Sequence, residues 1–259
     1  MTRYDEVDIL KGIAVVCMII FHIYYFPAQY GYTEFNYQTT SLKIIAKVAQ
    51  IIFITCVGIN MYISYKNSKE KNEKKKVYIK KQLTRIGKLL VCALFMTVFS
   101  YYVFGDKFIK FGILHFIAFG SLCLFMFVDK PAIIIGVLTL ISLLYTLKNI
   151  SPSLFMNVPP KIAFISGFYS NWRAIDHFPI IPWLIYICIG ILLGNIFYDK
   201  YNQYRPTIEN KYKKWVTPLQ EIGKKSLEIY LIHWIILYIF FAHIYPVYKE
   251  KLFMNSITV

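Results

Sequence analysis

Seven long apolar stretches punctuate the chain, at roughly 9–26, 44–65, 86–104, 111–128, 131–147, 180–198 and 227–245. A membrane-spanning helix needs about 20 mostly apolar residues, so the pattern predicts about seven transmembrane helices. The fifth stretch is the shortest. Turn and cap residues stand where such helices should begin and end. Pro27 and Pro246 close the first and last, and Pro131 follows Asp129 and Lys130 at the first turn of the fifth. No internal repeat is evident and no soluble domain is left over. The expected architecture is an all-α, polytopic membrane helix bundle forming a single integral-membrane domain over 1–259.

The connections give this bundle a direction. Residues 66–88 carry ten Lys/Arg against two Glu, residues 200–225 carry seven Lys/Arg, and the first connection, 27–41, carries none. Cytoplasmic loops collect Lys and Arg. With seven spans, the N-terminus is expected inside and the C-terminus outside. The first stretch is followed by "FPAQYGY", with no small-residue cleavage site, and reads as a retained span.

Composition agrees. The chain is 57% hydrophobic with a formal net charge of +15, too apolar for an ordinary soluble domain. The basic residues serve topology first, and a minority could bind an anionic cytosolic ligand; no nucleic acid is expected. Cys17, Cys56, Cys92, Cys123 and Cys188 each lie inside an apolar stretch without a CxxC pair, which excludes a disulfide framework and a zinc site as readings; no metal is expected. "IGILLGN" spaces Gly190 and Gly194 for close helix contacts, which would permit a homodimer.

Ionisable groups at membrane depth are costly and mark function. His22 lies about 21 Å along a helix from Asp8, in the outer half of the first span. His115 in "FGILH" lies within a turn of the start of the fourth. Asp176 and His177, in "IDHFPIIPW", precede the sixth. Three segments therefore bring imidazoles and a carboxylate to one side at similar depth. His233 in "YLIHW" is nearer mid-membrane, and His243 has no distinguishing context. Each also has a plain reading: a packed histidine for His22 and His115, an N-cap of the sixth span for Asp176, a helix–helix hydrogen bonder for His233. A histidine facing a cavity can deprotonate an amine or hydroxyl, or carry an acyl group. GxSxG, HExxH and GxGxxG are absent, and "IGKKS" lacks the first glycine of a phosphate loop.

The segments "RYDEVDILKGIAVVCMIIFH", "FITCVGIN", "FIKFGILHFIAFG", "DHFPIIPWLIYICIGILLGN" and "IGKKSLEIYLIHW" together resemble, in order and over most of the chain, the heparan-α-glucosaminide N-acetyltransferase-like transmembrane acyltransferases. The resemblance implies transfer of an acyl group from cytosolic acetyl-CoA, or another acyl-CoA, to a sugar amine or hydroxyl across the membrane. It departs at Lys11, where the family has arginine, at His177, where it has tyrosine, and at Trp234, where it has glutamine. It implies His22 as base or transient acyl carrier, Asp176 as its orienter or charge balance, and His115 as a residue that positions the acceptor. Arg3, Lys11 and Arg85, near the inner boundary, would meet acyl-CoA phosphates, with Trp183 and His233 in the substrate- and cofactor-binding set. The acceptor would be a glycan or small molecule, the lipid bilayer the surroundings, and the plasma membrane of a microbe the location. A proton-coupled transporter using the same His and Asp residues is the alternative.

Overall fold

The computed structural model describes residues 4–32, 34–168, 174–200 and 210–247, except the side chains at 199–200 and 210–213. Arg3 lies outside the described residues. Among them the secondary structure is helical, without strands. The helices are α1 (Asp5–Gln29), α2 (Thr40–Glu70), α3 (Lys75–Phe104), α4 (Ile113–Leu124), α5 (Pro131–Ile150), α6 (Pro160–Ser166), α7 (Ile180–Asn195), α8 (Asn210–Lys224) and α9 (Ser226–Ile239). Short π-helical turns, Ile196–Lys200 and Phe240–Ile244, extend α7 and α9. Among the described residues, six helices are long and apolar enough to cross a membrane. Large apolar side chains remain exposed along them, such as Val91, Leu94 and Val98 on α3, as expected where the solvent is lipid.

The chain divides into two compact units, one drawn from Ile54–Thr207 and the other from Tyr4–Phe53 and Ile208–Val259. In the first, α3 and α4 lie side by side. The expected fourth span is the one that departs from a full-length helix. Its helix has 12 residues, about 18 Å at 1.5 Å per residue, short of the roughly 30 Å hydrocarbon thickness. Even so, the segment follows α3 for almost that distance. At one end the Ile109 amide donates to Ser100 Oγ at 2.9 Å and Thr97 Oγ1 donates to the Ile109 carbonyl at 2.9 Å. At the other, Tyr78 Oη donates to the Phe125 carbonyl at 3.1 Å. Tyr78 and Thr97 stand 19 positions apart on α3, about 28 Å. Phe108 and Gly112 have extended backbone, which covers the length the helix lacks. Extended backbone at membrane depth persists only where protein groups satisfy it. Here Thr97 and Ser100 supply partners from α3, the Ile175 amide donates to the Lys107 carbonyl at 2.9 Å, and the Phe178 amide to the Phe111 carbonyl at 3.0 Å.

The glycines of "IGILLGN" are spent inside this unit. A Cβ at Gly190 would collide with the Thr55 carbonyl of α2 and approach the Gly58 Cα to 3.0 Å; one at Gly194 would lie 2.7 Å from Tyr62 Cβ. A Cβ at Gly58 would in turn meet the Ile187 carbonyl. The small-residue face expected to permit a homodimer thus packs α7 against α2 within the chain.

The strongly basic connection 66–88 is almost entirely helical, turning only between Glu70 and Lys75, where Asn72 takes a left-handed φ of 50°. Lysine and glutamate are good helix formers, so charge ends the apolar stretch without ending the helix. At the same end, Lys66 Nζ donates to the Tyr198 carbonyl after α7.

In the second unit, α8 replaces what reads in sequence as a loop. Pro218 lies inside it, and that proline masks the spacing of Val216, Leu219 and Ile222 on one face. α8 packs on α1 at a glycine contact. A Cβ at Gly12 would strike the Leu219 carbonyl, and one at Gly223 the Asp8 carbonyl. Asp8, 3% exposed at this contact, is ion-paired with Lys11 at 2.5 Å.

Candidate active site

α1 carries His22 and α9 carries His233, and the second unit brings their rings together with centroids 5.0 Å apart. His22 Nδ1 lies 3.3 Å from His233 Nε2. The protons follow from the acceptors. His233 Nδ1 sits 3.1 Å from the Ile229 carbonyl, which can only accept, so a neutral His233 carries its proton on Nδ1 and presents a lone pair at Nε2. His22 Nδ1 must then be the donor. That leaves His22 Nε2 as the unprotonated nitrogen of a neutral ring. A carbonyl thus orients one imidazole, which orients the next, as a carboxylate orients the histidine of a hydrolase triad.

Aromatic rings surround His22. Trp234, fully buried, has its centroid 5.5 Å away, Phe21 lies at 5.6 Å and Tyr25 at 6.1 Å. Tyr25 also meets Tyr37 edge to face at 5.0 Å. The pair therefore sits against a wall of aromatic rings.

The first unit places the other candidates. Asp176 does not cap the helix it precedes. Its Oδ2 accepts from the Ile113 amide at 3.3 Å, at the N-terminus of α4, where a carboxylate offsets the positive helix end. Asp176 has φ of 53°, a left-handed conformation that aspartate tolerates better than most residues. A Cβ at Gly112 would lie 2.7 Å from its Oδ2, so glycine lets the carboxylate reach the helix end. His115 stands in the first turn of that helix with Nε2 3.4 Å from Thr97 Oγ1. The Thr97 hydroxyl proton is given to Ile109, so His115 Nε2 is the donor and Nδ1 the lone-pair nitrogen.

His177 is bound locally: it stacks on Phe164 at 4.0 Å and donates from Nε2 to the Phe164 carbonyl at 2.8 Å. Burial holds its pKa below the ordinary imidazole value; the Phe164 hydrogen bond opposes that shift and the nearby Lys148 ammonium adds to it. Trp183 is 7% exposed and packs between Phe178 and Tyr186. Lys11 meets Asp8 as described. Arg85 Nη1 donates to Ser64 Oγ at 2.9 Å, and the buried Gln82 Nε2 donates to the same oxygen at 2.8 Å. Among the described residues no group of three or more His, Cys, Asp or Glu could hold a metal ion.

The sequence model of the heparan-alpha-glucosaminide N-acetyltransferase catalytic family matches residues 3–235. The chain belongs to this N-acetyltransferase family. No curated protein and no solved structure matches it. Membership makes it a membrane acetyltransferase-type transferase, and its six long apolar helices make it an integral multi-pass protein. Acetyltransferases of this type use acetyl-CoA as co-substrate. The family match runs through α1 and ends at Ile235, two residues after His233, so it contains the whole histidine pair. Thr97, Ser100 and Ser64 are the residues that sequence reasoning passed over. Thr97 and Ser100 are spaced i, i+3 on one face of an apolar helix, a pattern that could have marked them.

Proposed function

We propose that the protein transfers an acetyl group from acetyl-CoA, or a related acyl-CoA, to an amine or hydroxyl of a glycan or small acceptor on the opposite side of the membrane. The observation that carries this reading is the donor chain through His22 and His233, which leaves His22 Nε2 unprotonated. His22 Nε2 takes the proton of the acceptor N–H or O–H as the acceptor atom bonds to the acyl carbon. The C–S bond then breaks, and His22 returns the proton to the leaving sulfur. The products are the acylated acceptor and free CoA. His233 is a positioning residue: it holds His22 in the productive tautomer and does not touch the substrate. Asp176 acts through α4, whose start it caps. His115, in the first turn of α4, keeps Nδ1 as its lone-pair nitrogen.

The lysine-rich ends of α2 and α3 are read as cytoplasmic, in the plasma membrane of a microbe. Inside-out vesicles supplied with acetyl-labelled CoA test the proposal. Wild-type protein should release CoA and label an acceptor, and His22→Ala should do neither while remaining monodisperse. Unchanged turnover by that variant would remove His22 from the chemistry. Labelled protein that requires His22 would make it an acyl carrier in place of a base.

A further inference from the structure

A cavity of about 570 Å³ opens between the lysine-rich ends of α2 and α3, within the size range of small-ligand sites. Its walls bear four cations, Lys71, Lys80, Lys81 and Arg85, and one carboxylate, Glu73. Glu73 is already engaged by the Lys81 ammonium and by Ser68 Oγ at 2.7 Å. We propose that this cavity is a binding site for a phosphate-bearing anion, held by Arg85, Lys71 and Lys80 above a buried polar floor.

Lysines at the ends of membrane helices ordinarily serve topology and snorkel toward lipid headgroups. Two features go beyond that role. The floor is polar where it is most enclosed: Ser64, Asn67 and Ser68 are 5%, 6% and 7% exposed, and snorkelling lysines need no such floor. The arginine is also held in place. Ser64 Oγ accepts from Arg85 Nη1, which orients the planar guanidinium, and a guanidinium so fixed can present two parallel N–H donors to a phosphate. With Glu73 tied to Lys81, the walls keep a net excess of three positive charges.

Two molecules carry this chemistry to such a place: the phosphates of CoA and the headgroup of an anionic phospholipid. The site rests on the acyltransferase reading only for the first. The test uses the full chain in neutral detergent, with CoA and phosphatidylglycerol vesicles as separate probes. The variants are Arg85→Gln, which keeps a donor for Ser64, and the exposed pair Lys71→Gln/Lys80→Gln, which leaves the floor intact.

Wild-type protein should bind one or both probes with affinity that falls as salt rises. Each variant should weaken that binding about tenfold or more, since each removes at least one charge-assisted contact. Loss confined to CoA identifies the acyl donor, and loss confined to vesicles identifies a lipid; either supports the site. Wild-type affinity for both probes in the Lys71→Gln/Lys80→Gln variant would overturn it, as would failure of the wild type to bind either. Loss of acetyl transfer in His22→Ala with CoA binding intact bears on the catalytic reading alone.

Discussion

His233 Nε2 stands 3.3 Å from His22 Nδ1 while its own Nδ1 is held 3.1 Å from the Ile229 carbonyl. The two rings are separated by 211 positions in sequence and share one run of donors. Removing the second ring should therefore change the first without removing it. His233→Ala should lower acetyl transfer by about 10- to 100-fold and alter the pH dependence of kcat. His233→Gln, whose carbonyl oxygen can accept from His22 Nδ1, should recover part of the loss. A pH–rate profile of the three forms checks this; superimposable profiles would make His233 a packing residue only.

The Asp176 carboxylate belongs energetically to α4. Asp176→Ala should destabilise the protein by about 1 kcal/mol, the usual cost of losing an N-terminal cap. Asp176→Asn, which keeps an accepting oxygen and tolerates a left-handed φ, should be close to wild type. Thermal melting in detergent would decide; equal losses in both variants would point to a role for the negative charge itself.

Gly58 and Gly190 let α2 and α7 touch backbone to backbone. Gly190→Leu should cost well over the roughly 1–3 kcal/mol of ordinary overpacking, because the obstacle is the Thr55 carbonyl and not a movable side chain. Gly136→Leu on α5, where a Cβ meets nothing within 4 Å, is the matched control. Gel filtration should show Gly136→Leu monodisperse and Gly190→Leu aggregated or absent.

His177 makes stability depend on pH. Its folded pKa is lowered, chiefly by burial, so below the unfolded value of about 6.5 the unfolded chain takes up a proton that the folded protein refuses. Stability should therefore fall as pH drops through this range, down to the folded pKa. In His177→Gln, which can still donate to the Phe164 carbonyl, the melting temperature should fall less steeply between pH 7 and pH 5. An identical slope would mean that other groups set it.

Much of the architecture is legible along the chain because partition into a membrane is a local property. Twenty apolar residues in a row stay within lipid whatever they pack against, and six of the seven apolar stretches became helices long enough to span it. The fourth shows where that logic ends. The stretch opens with Phe111 and Gly112, yet the helix starts only at Ile113, because Thr97, Ser100 and the segment after Ile175 provide partners for the backbone before it. That competition is visible only once α3 and the loop before α7 lie beside it. Residues 200–225 likewise read as a basic connection, and packing of α8 on α1 at Gly12 and Gly223 belongs to the tertiary structure alone.

For the site, sequence alone determined which residues can do chemistry. Histidine and aspartate in an apolar span are conspicuous because burying them is expensive, and the motifs around His22, His115, Asp176 and His233 place the chain in its family. Tertiary structure decided what each one faces. Depth along a helix can be counted from the sequence, but rotation about its axis and the identity of its neighbour cannot. His22 meets His233 and the Asp176 carboxylate caps α4, while Gly190 closes on α2 within the chain. Each of these partnerships depends on side chains from distant segments meeting within a few ångströms, and that is settled by packing, not by composition.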